Sequence, residues 1–515
     1  MSGSHVNGLK VNGHKAKASS PSISMSSGNS LHLDYDASPG IGSVEAKAVL
    51  QLLLENLNST VQSALSYLEG PLKDCLRESL HSGNGLPDPS CSLLAAETTD
   101  LLHRTQKLLD PKTVILADHF LGYVNSKCLN AAVERNIPDA LAHGPMTLEQ
   151  LAEASESRAD RLSQILRILY NNGIFEYDES TGLYRNNDAS SLLRSDHWTQ
   201  WRNWVELYGN QFYDAARGIP ESTKREATRT GAQINYDIDL NMFAYFQNQG
   251  WVELLHRTLG GGAIAMAPGI LEDYNWSEVE NGVMMDIGGG GGGFITSLLR
   301  KFKNMRGGIF DLPGVISHAK LLFHDKDGKY ADVGDRILPS NLISGDFFQS
   351  IPSFEIYTMK WCLHDWKDQE ALKILNNIRK AIINGPSSRL IVMESILSDG
   401  HSQRLSRYGD IHMMMTANGH ERTERQWREL AERSGWEIIS IYTLRNAWVK
   451  AMDFRPTNKG YVMGHDNAEV ERLSAQHEWI KASMGNLIHC PVNYKKENMR
   501  ILDSGTADGS SLFSA

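Results

Sequence analysis

His364, Glu394 and Glu421 are the residues whose types and placement could move a proton. His364 stands in "MKWCLHDW" at the carboxyl end of an apolar run, Glu394 ends a second run in "IVMES", and Glu421 lies in "NGHERTERQW" just before a helical pattern. Histidine is the side chain whose ordinary pKa lets it accept a proton near neutrality. Taken alone, His364 reads as a hydrogen-bonded turn residue. A glutamate that ends a buried strand, however, needs a partner, because an unpaired buried charge is costly, and orienting an imidazole supplies one. Asp286 sits inside a further apolar run, "VMMDI", just ahead of six consecutive glycines, Gly288 to Gly293. Such glycines let the main chain approach a ligand, and the helix opening after them offers unpaired N–H groups. They satisfy the dinucleotide pattern trivially, so they do not choose the ligand. Asp311, 25 residues beyond Asp286, stands where a carboxylate accepts both ribose hydroxyls of an adenosine compound; its alternative is a helix cap before Pro313. Asp286 would repel a pyrophosphate and attract a cation. That favours S-adenosylmethionine, whose amino group and sulfonium are positive. Asp346 and Phe347 in "SGDFF" could accept from an adenine amino group and cover its ring, or form a turn Asp followed by a core Phe.

These residues must be held by strands that end together. From Gly282 onward short apolar runs alternate with helical patterns: "VMMDI", "GGIFDL", "RILPSNLIS", "FEIYTMKW" and "RLIVMES". "WEIISIYTL" and "AWVKAMDF" follow too closely to hold a crossover helix. βα repeats closed by an antiparallel hairpin predict a doubly wound α/β sheet, with ligands at the carboxyl ends of its strands beside the topological switch point.

The preceding half is mostly helical in pattern. Residues 146–186 read as two short helices and a hairpin, with Thr147 as a cap, which is the outline of a winged helix. Between Met146 and Tyr177 five acidic residues face three arginines, so the electrostatic attraction that dominates DNA affinity is missing. A dimerisation or substrate-lid module is expected instead. Trp198, Trp201 and Trp204 recur at helical spacing and are expected to pack in a core or dimer contact. The methionine-rich segment "RYGDIHMMMTANG" is either a core face or a pocket wall.

Six motifs in order, "DIGGGGGG", "FDLPGVI", "GDFF", "MKWCLHDW", "VMES" and "NGHERTERQW", resemble those of the S-adenosylmethionine-dependent O-methyltransferases of plant and fungal secondary metabolism, over roughly Leu108 to Phe454. The resemblance implies a Rossmann-like class I methyltransferase domain behind a mainly helical, winged-helix dimerisation domain that swaps across a homodimer. It implies that Asp286, Gly288, Gly289 and Gly290 hold the methionine end of the cofactor, Asp311 and Leu312 the ribose, and Asp346 with Phe347 the adenine, with Lys360 close by. His364 would take the proton from a phenolic or enolic hydroxyl, with Glu394 and Glu421 fixing its ring. Trp361, Met414 and Asn418 would line the acceptor pocket. No metal is expected. Relatives with this fold that catalyse pericyclic rearrangements tend to replace the base histidine, so the intact trio argues for methylation.

Composition sets the remaining bounds. At 515 residues, with a formal charge of −10, the chain is acidic, which argues against nucleic acid as its main partner. Five cysteines without a CxxC pair suggest neither a zinc cluster nor a disulfide framework. With no run long enough to span a bilayer and no apolar signal core, a cytoplasmic protein is expected. Expected domains are a disordered tail (1–43), the helical domain (44–250), the catalytic domain (251–454), and a linker with the truncated start of a second methyltransferase-like domain (455–515). In that last segment an "ERLSAQH" helix precedes "MRILDSGTADG"; Asp503, Gly505 and Gly509 match a cofactor loop and Ala507 replaces its middle glycine.

Overall fold

Seven of the apolar runs form one sheet. The computed structural model describes residues 43–457 together with Ile23–Met25 and Leu31–Leu33. The strands are β1 (Val283–Ile287), β2 (Arg306–Asp311), β3 (Ile337–Ser344), β4 (Ile356–Lys360), β5 (Arg389–Glu394), β6 (Trp436–Thr443) and β7 (Lys450–Pro456). Their order is β6-β7-β5-β4-β1-β2-β3. Pairing is parallel except for β7, which runs antiparallel to both β5 and β6. The expected hairpin is therefore present, with β7 inserted between its partner and the parallel strands.

Helices cover both faces, which explains why the central strands are continuously apolar rather than alternating. Every residue of β5 is buried. On one face Ile295, Leu298 and Leu299 of helix Gly293–Lys301 pack with Met266 and Ile270 of helix Val252–Asp273. On the other, Ile374, Leu375 and Ile378 of helix Asp368–Ala381 pack with Trp427 and Leu430 of helix Glu424–Arg433. Because the chain passes from β1 through β2 to β3 and then returns to the far side of β1, the crevice between the carboxyl ends of β1 and β4 is the switch point.

Ahead of the sheet, helices Leu148–Ala154 and Ala159–Asn171 precede a hairpin, Glu176–Asp178 with Leu183–Arg185, and Met146 bridges to Tyr184. Thr147 caps the first helix through a reciprocal box with Gln150, as its sequence predicts. Leu151, Leu162, Leu166 and Phe175 form this module's own core. Helix Val252–Asp273 joins the two halves through close contact: a Cβ at Gly262 would come 2.5 Å from the Trp204 ring.

The chain groups into two units, Met1–Leu76 and Arg77–Ala515. In the first, helix Ser43–Glu69 leaves Leu50, Leu53 and Leu65 exposed. The helix ends ahead of Gly70 and Pro71, and a separate one spans Lys73–Leu80. Proline cannot donate the next intrahelical bond. The tail expected at residues 1–43 lies outside the described residues, apart from Ile23–Met25 and Leu31–Leu33, which pair antiparallel. The second methyltransferase-like start also lies outside them. Among the described residues no helix is long and apolar enough to cross a membrane.

Candidate active site

Glu394, the last residue of β5, organises the turn that leaves β4. Its Oε1 accepts the backbone N–H groups of Cys362 (2.9 Å) and Leu363 (2.8 Å). To reach that carboxylate the chain turns at Trp361, whose φ of 51° is left-handed. For a bulky residue this stores on the order of 1–3 kcal/mol of strain, offset by the Glu394 bonds and by Trp361 N–H donating to Met393 O at 3.1 Å. The 3₁₀ turn Leu363–Asp365 then presents His364, which is buried.

Nδ1 of His364 lies 2.9 Å from Glu421 Oε1 and 3.4 Å from Glu394 Oε2. The three predicted acid–base residues are thus brought together. Both glutamates are buried, and Oε2 of each lacks a hydrogen-bond partner among the described residues. Nε2 lies 3.8 Å from Asp365 Oδ1, beyond hydrogen-bonding distance, and among the described residues no hydrogen bond to it is formed. Assigning the proton of a neutral ring to Nδ1, where a carboxylate accepts it, leaves Nε2 as the free basic atom. Burial opposes the imidazolium, but Glu394, the hydrogen bond to Glu421 and Asp365 outweigh it and push His364 up to about 10. Burial in turn pushes Glu394 up, against the pull of His364. Ligand atoms of His364, Glu394 and Glu421 fall within 4.8 Å of one another, close enough for a metal ion as well.

The glycine loop adjoins this turn. A Cβ at Gly288 would come 3.1 Å from Cys362 Sγ, and one at Gly289 would come 2.7 Å from Asp286 Oδ2. Gly288 and Gly290 have φ of 68° and 55°, in the region that favours glycine. Asp286 is buried and accepts the Thr358 hydroxyl at 2.8 Å. Burial pushes it up to about 7, against that hydrogen bond and Lys360. Lys360, pushed down to about 8 by burial and held up by Asp286 and Glu394, links the two clusters electrostatically. Its Nζ sits 4.2 Å from the Trp361 ring centre.

Asp311 accepts Gly290 N–H at 2.9 Å and Leu312 N–H at 2.7 Å. It does not cap the following helix: Leu312 is the N-cap residue, and that helix has no side-chain cap. Leu312 itself is 59% exposed. Asp346 is exposed and accepts Phe348 N–H at 2.8 Å, while Phe347 packs on Phe348 and Trp366. The turn reading of this pair therefore holds, and the carboxylate remains accessible.

Trp201 and Trp204 belong to an aromatic cluster with Trp448, Tyr208 and Trp361. They pack, as expected, yet through Trp361 the cluster abuts the turn that carries His364. Trp198 stands apart, 40% exposed, and donates to Gly83 O. Of the methionine segment, Met415 is core, Met413 and Met414 are half-buried, and Asn418 is exposed with φ of 60°.

Sequence reasoning missed His412. Its ring stacks on Tyr208 at 4.9 Å and meets Phe212 edge-on at 4.3 Å. Burial and the neighbouring His364 push it down to about 3, so it stays neutral and is a far weaker base than His364. A lone histidine among methionines carried no signal. Arg422, fully buried beside Glu421, was missed as well.

Comparison with known proteins agrees with this architecture. The family model described as the O-methyltransferase domain matches residues 198–437, and that of the O-methyltransferase dimerisation domain matches residues 117–196. The chain is 56% identical over 414 residues to O-methyltransferase aclM of Aspergillus oryzae (strain ATCC 42149 / RIB 40), covering 80% of this chain and 96% of that one. It is 48% identical over 408 residues to O-methyltransferase verK of Clonostachys rogersoniana, covering 79% and 100%. Among solved structures, that of LaPhzM superposes with a TM-score of 0.57 at 25% identity, covering 68% of this chain and 100% of that one.

Proposed function

The chain belongs to the S-adenosylmethionine-dependent O-methyltransferase family, and from that premise we propose that it methylates a phenolic or enolic hydroxyl of a small aromatic secondary metabolite of polyketide type, with His364 as general base. The observation that carries this reading is the orientation of one ring: Nδ1 is held by Glu421 at 2.9 Å, which leaves Nε2 free at the carboxyl end of β4, beside the switch point.

The cradle fits the cofactor. A buried carboxylate, Asp286, lies against a glycine loop that a single Cβ would fill, and a second carboxylate, Asp311, closes its far side. Such a set suits a cationic group and ribose hydroxyls and repels phosphates. S-adenosylmethionine supplies an electrophilic methyl group on a positively charged sulfur. The chain's own work is then to align the acceptor and remove its proton. Alignment is worth up to about 7–11 kcal/mol in well-oriented systems. Transfer of the hydroxyl proton to Nε2 adds roughly 10²–10⁴-fold, and Glu394 and Glu421 stabilise the imidazolium so formed. The aromatic cluster at Trp361 and the half-buried Met414 offer flat and adaptable walls to an aromatic acceptor.

Incubation with methyl-labelled S-adenosylmethionine and a panel of phenols and enols should yield products carrying one labelled methyl group on oxygen. Label appearing only on carbon or nitrogen would rule out the hydroxyl assignment.

Residues 44–250 are proposed to pair two copies and to wall the acceptor pocket. The matched dimerisation family at 117–196 and the exposed Leu108, Leu116, Phe120 and Tyr123 support this. Sedimentation equilibrium is expected to give twice the 57.4 kDa chain mass; a monomer at micromolar concentration would remove the pairing.

A further inference from the structure

Glu421 holds the ring of His364, and the residue that follows it holds the backbone. Arg422 is fully buried, an unusual place for a guanidinium unless its donors are matched. Here they are. Nη1 donates to Leu363 O at 3.1 Å and Nη2 to Trp366 O at 2.7 Å, so two arms of one rigid fork grasp the carbonyls on either side of His364 and Asp365. Nε donates to Asp368 Oδ1 at 2.9 Å, which ties the same fork to the first turn of helix Asp368–Ala381. The guanidinium also faces the Trp427 ring at 5.2 Å. Beside it His420 N–H donates to His364 O at 2.9 Å, and a Cβ at Gly419 would come within 2.0 Å of that oxygen. The segment itself is anchored by a two-residue parallel bridge, Ile396–Leu397 with Arg422–Thr423.

The geometry points to Arg422 as a positioning residue for methyl transfer: its fork fixes the turn Leu363–Trp366 so that Nε2 of His364 meets the acceptor hydroxyl. This rests on the reading of His364 as the base. The fork has a job that a lysine cannot do, since an ammonium is a point donor without the planar pair of arms. Glu421 and Arg422, adjacent in sequence, then divide the task. One sets the ring's rotation and tautomer, the other sets where the ring's Cα stands. A displacement of about 1 Å at a reacting group can cost on the order of 10²-fold in rate.

The test compares Arg422→Lys with the wild type and then repeats the change in a His364→Ala background. Arg422→Lys is expected to lower kcat by about 10- to 100-fold while KM for the acceptor and Kd for S-adenosylmethionine stay within about twofold. In the His364→Ala background the same change should alter the residual rate by less than about twofold, because a residue that acts through His364 has nothing left to position. Asp368→Asn, at a half-exposed side chain, keeps an oxygen that can accept from Nε but removes the carboxylate charge paired with the guanidinium, and so weakens one arm of the fork while the two carbonyl contacts stay. It should give a smaller loss of kcat, about 2- to 5-fold, again silent once His364 is gone. Wild-type kcat in Arg422→Lys, or losses that multiply independently with His364→Ala, would overturn the role of Arg422. A loss of cofactor affinity matching the loss of rate in both Arg422→Lys and Asp368→Asn would overturn it too, by making the residue a general support of the fold. A His364→Ala enzyme that turns over at the wild-type rate would instead overturn the assignment of the base.

Discussion

His364→Ala is expected to lower kcat by roughly 10²–10⁴-fold and to leave the dissociation constant for S-adenosylmethionine within about twofold. The two halves of that result have separate physical causes. The imidazole touches the glutamates beyond the end of β4, whereas Asp286, the glycines and Asp311 stand on or just after β1 and β2. The pH profile of the intact enzyme follows from the same cluster. Burial alone would lower the histidine's proton affinity, but Glu394, Glu421 and Asp365 raise it to about 10. Below that value His364 in the free protein is mostly imidazolium and has no lone pair on Nε2 to offer. Only the neutral ring accepts a proton, so kcat/KM should climb with pH, tenfold per unit well below the apparent pKa, and flatten as the ring deprotonates. In His364→Ala this climb should vanish. Retention of the climb in the variant, or cofactor release in place of lost turnover, would show that another group removes the proton.

The central strands that carry these residues were legible because both faces of the sheet are covered, which makes those runs largely apolar and each end a point where polarity returns. Asp286, Asp311, Lys360 and Glu394 all stand at such ends. Glu421 was legible by its place before a helix. The insertion of β7 between β5 and β6 was not, since close spacing fixes antiparallel pairing but not which neighbour a strand takes on its other side. Nor was the left-handed Trp361: positive φ is read from glycine or asparagine, and a tryptophan there is held by Glu394, 33 residues away in sequence. Arg422 and His412 were hidden for a related reason. A charged residue in "NGHERTERQW" reads as a solvated face, and a histidine among methionines reads as filler, until long-range partners such as Leu363 O or the Tyr208 ring are in place. The fold was thus written in local patterns, while the parts of the site that depend on several distant segments meeting were not. Asp346 lies between these cases, because the turn it forms with Phe348 N–H engages only one oxygen of an exposed carboxylate.

Asp286→Asn is expected to weaken S-adenosylmethionine binding by roughly 10- to 100-fold while changing kcat at saturating cofactor only a few-fold, the converse of His364→Ala. Asparagine keeps an oxygen where Asp286 Oδ1 accepts the Thr358 hydroxyl at 2.8 Å, so the substitution removes charge with little change of shape. The wild-type carboxyl is raised to about 7 because burial disfavours its ionised form; the Thr358 bond and Lys360 pull the other way, and Asp311 adds to the rise. Below about pH 7 the free protein therefore holds Asp286 mostly protonated. A cationic ligand favours the carboxylate, so binding must expel that proton, and affinity should improve with rising pH by up to tenfold per unit before levelling off above neutrality. Calorimetry in two buffers of different ionisation enthalpy, at a pH just below 7, should register the released proton in the wild type and none in the asparagine variant. A dissociation constant that is flat from acid to alkaline pH in the wild type, or unchanged in Asp286→Asn, would mean that the cation is held elsewhere and that this carboxyl only braces the glycine loop.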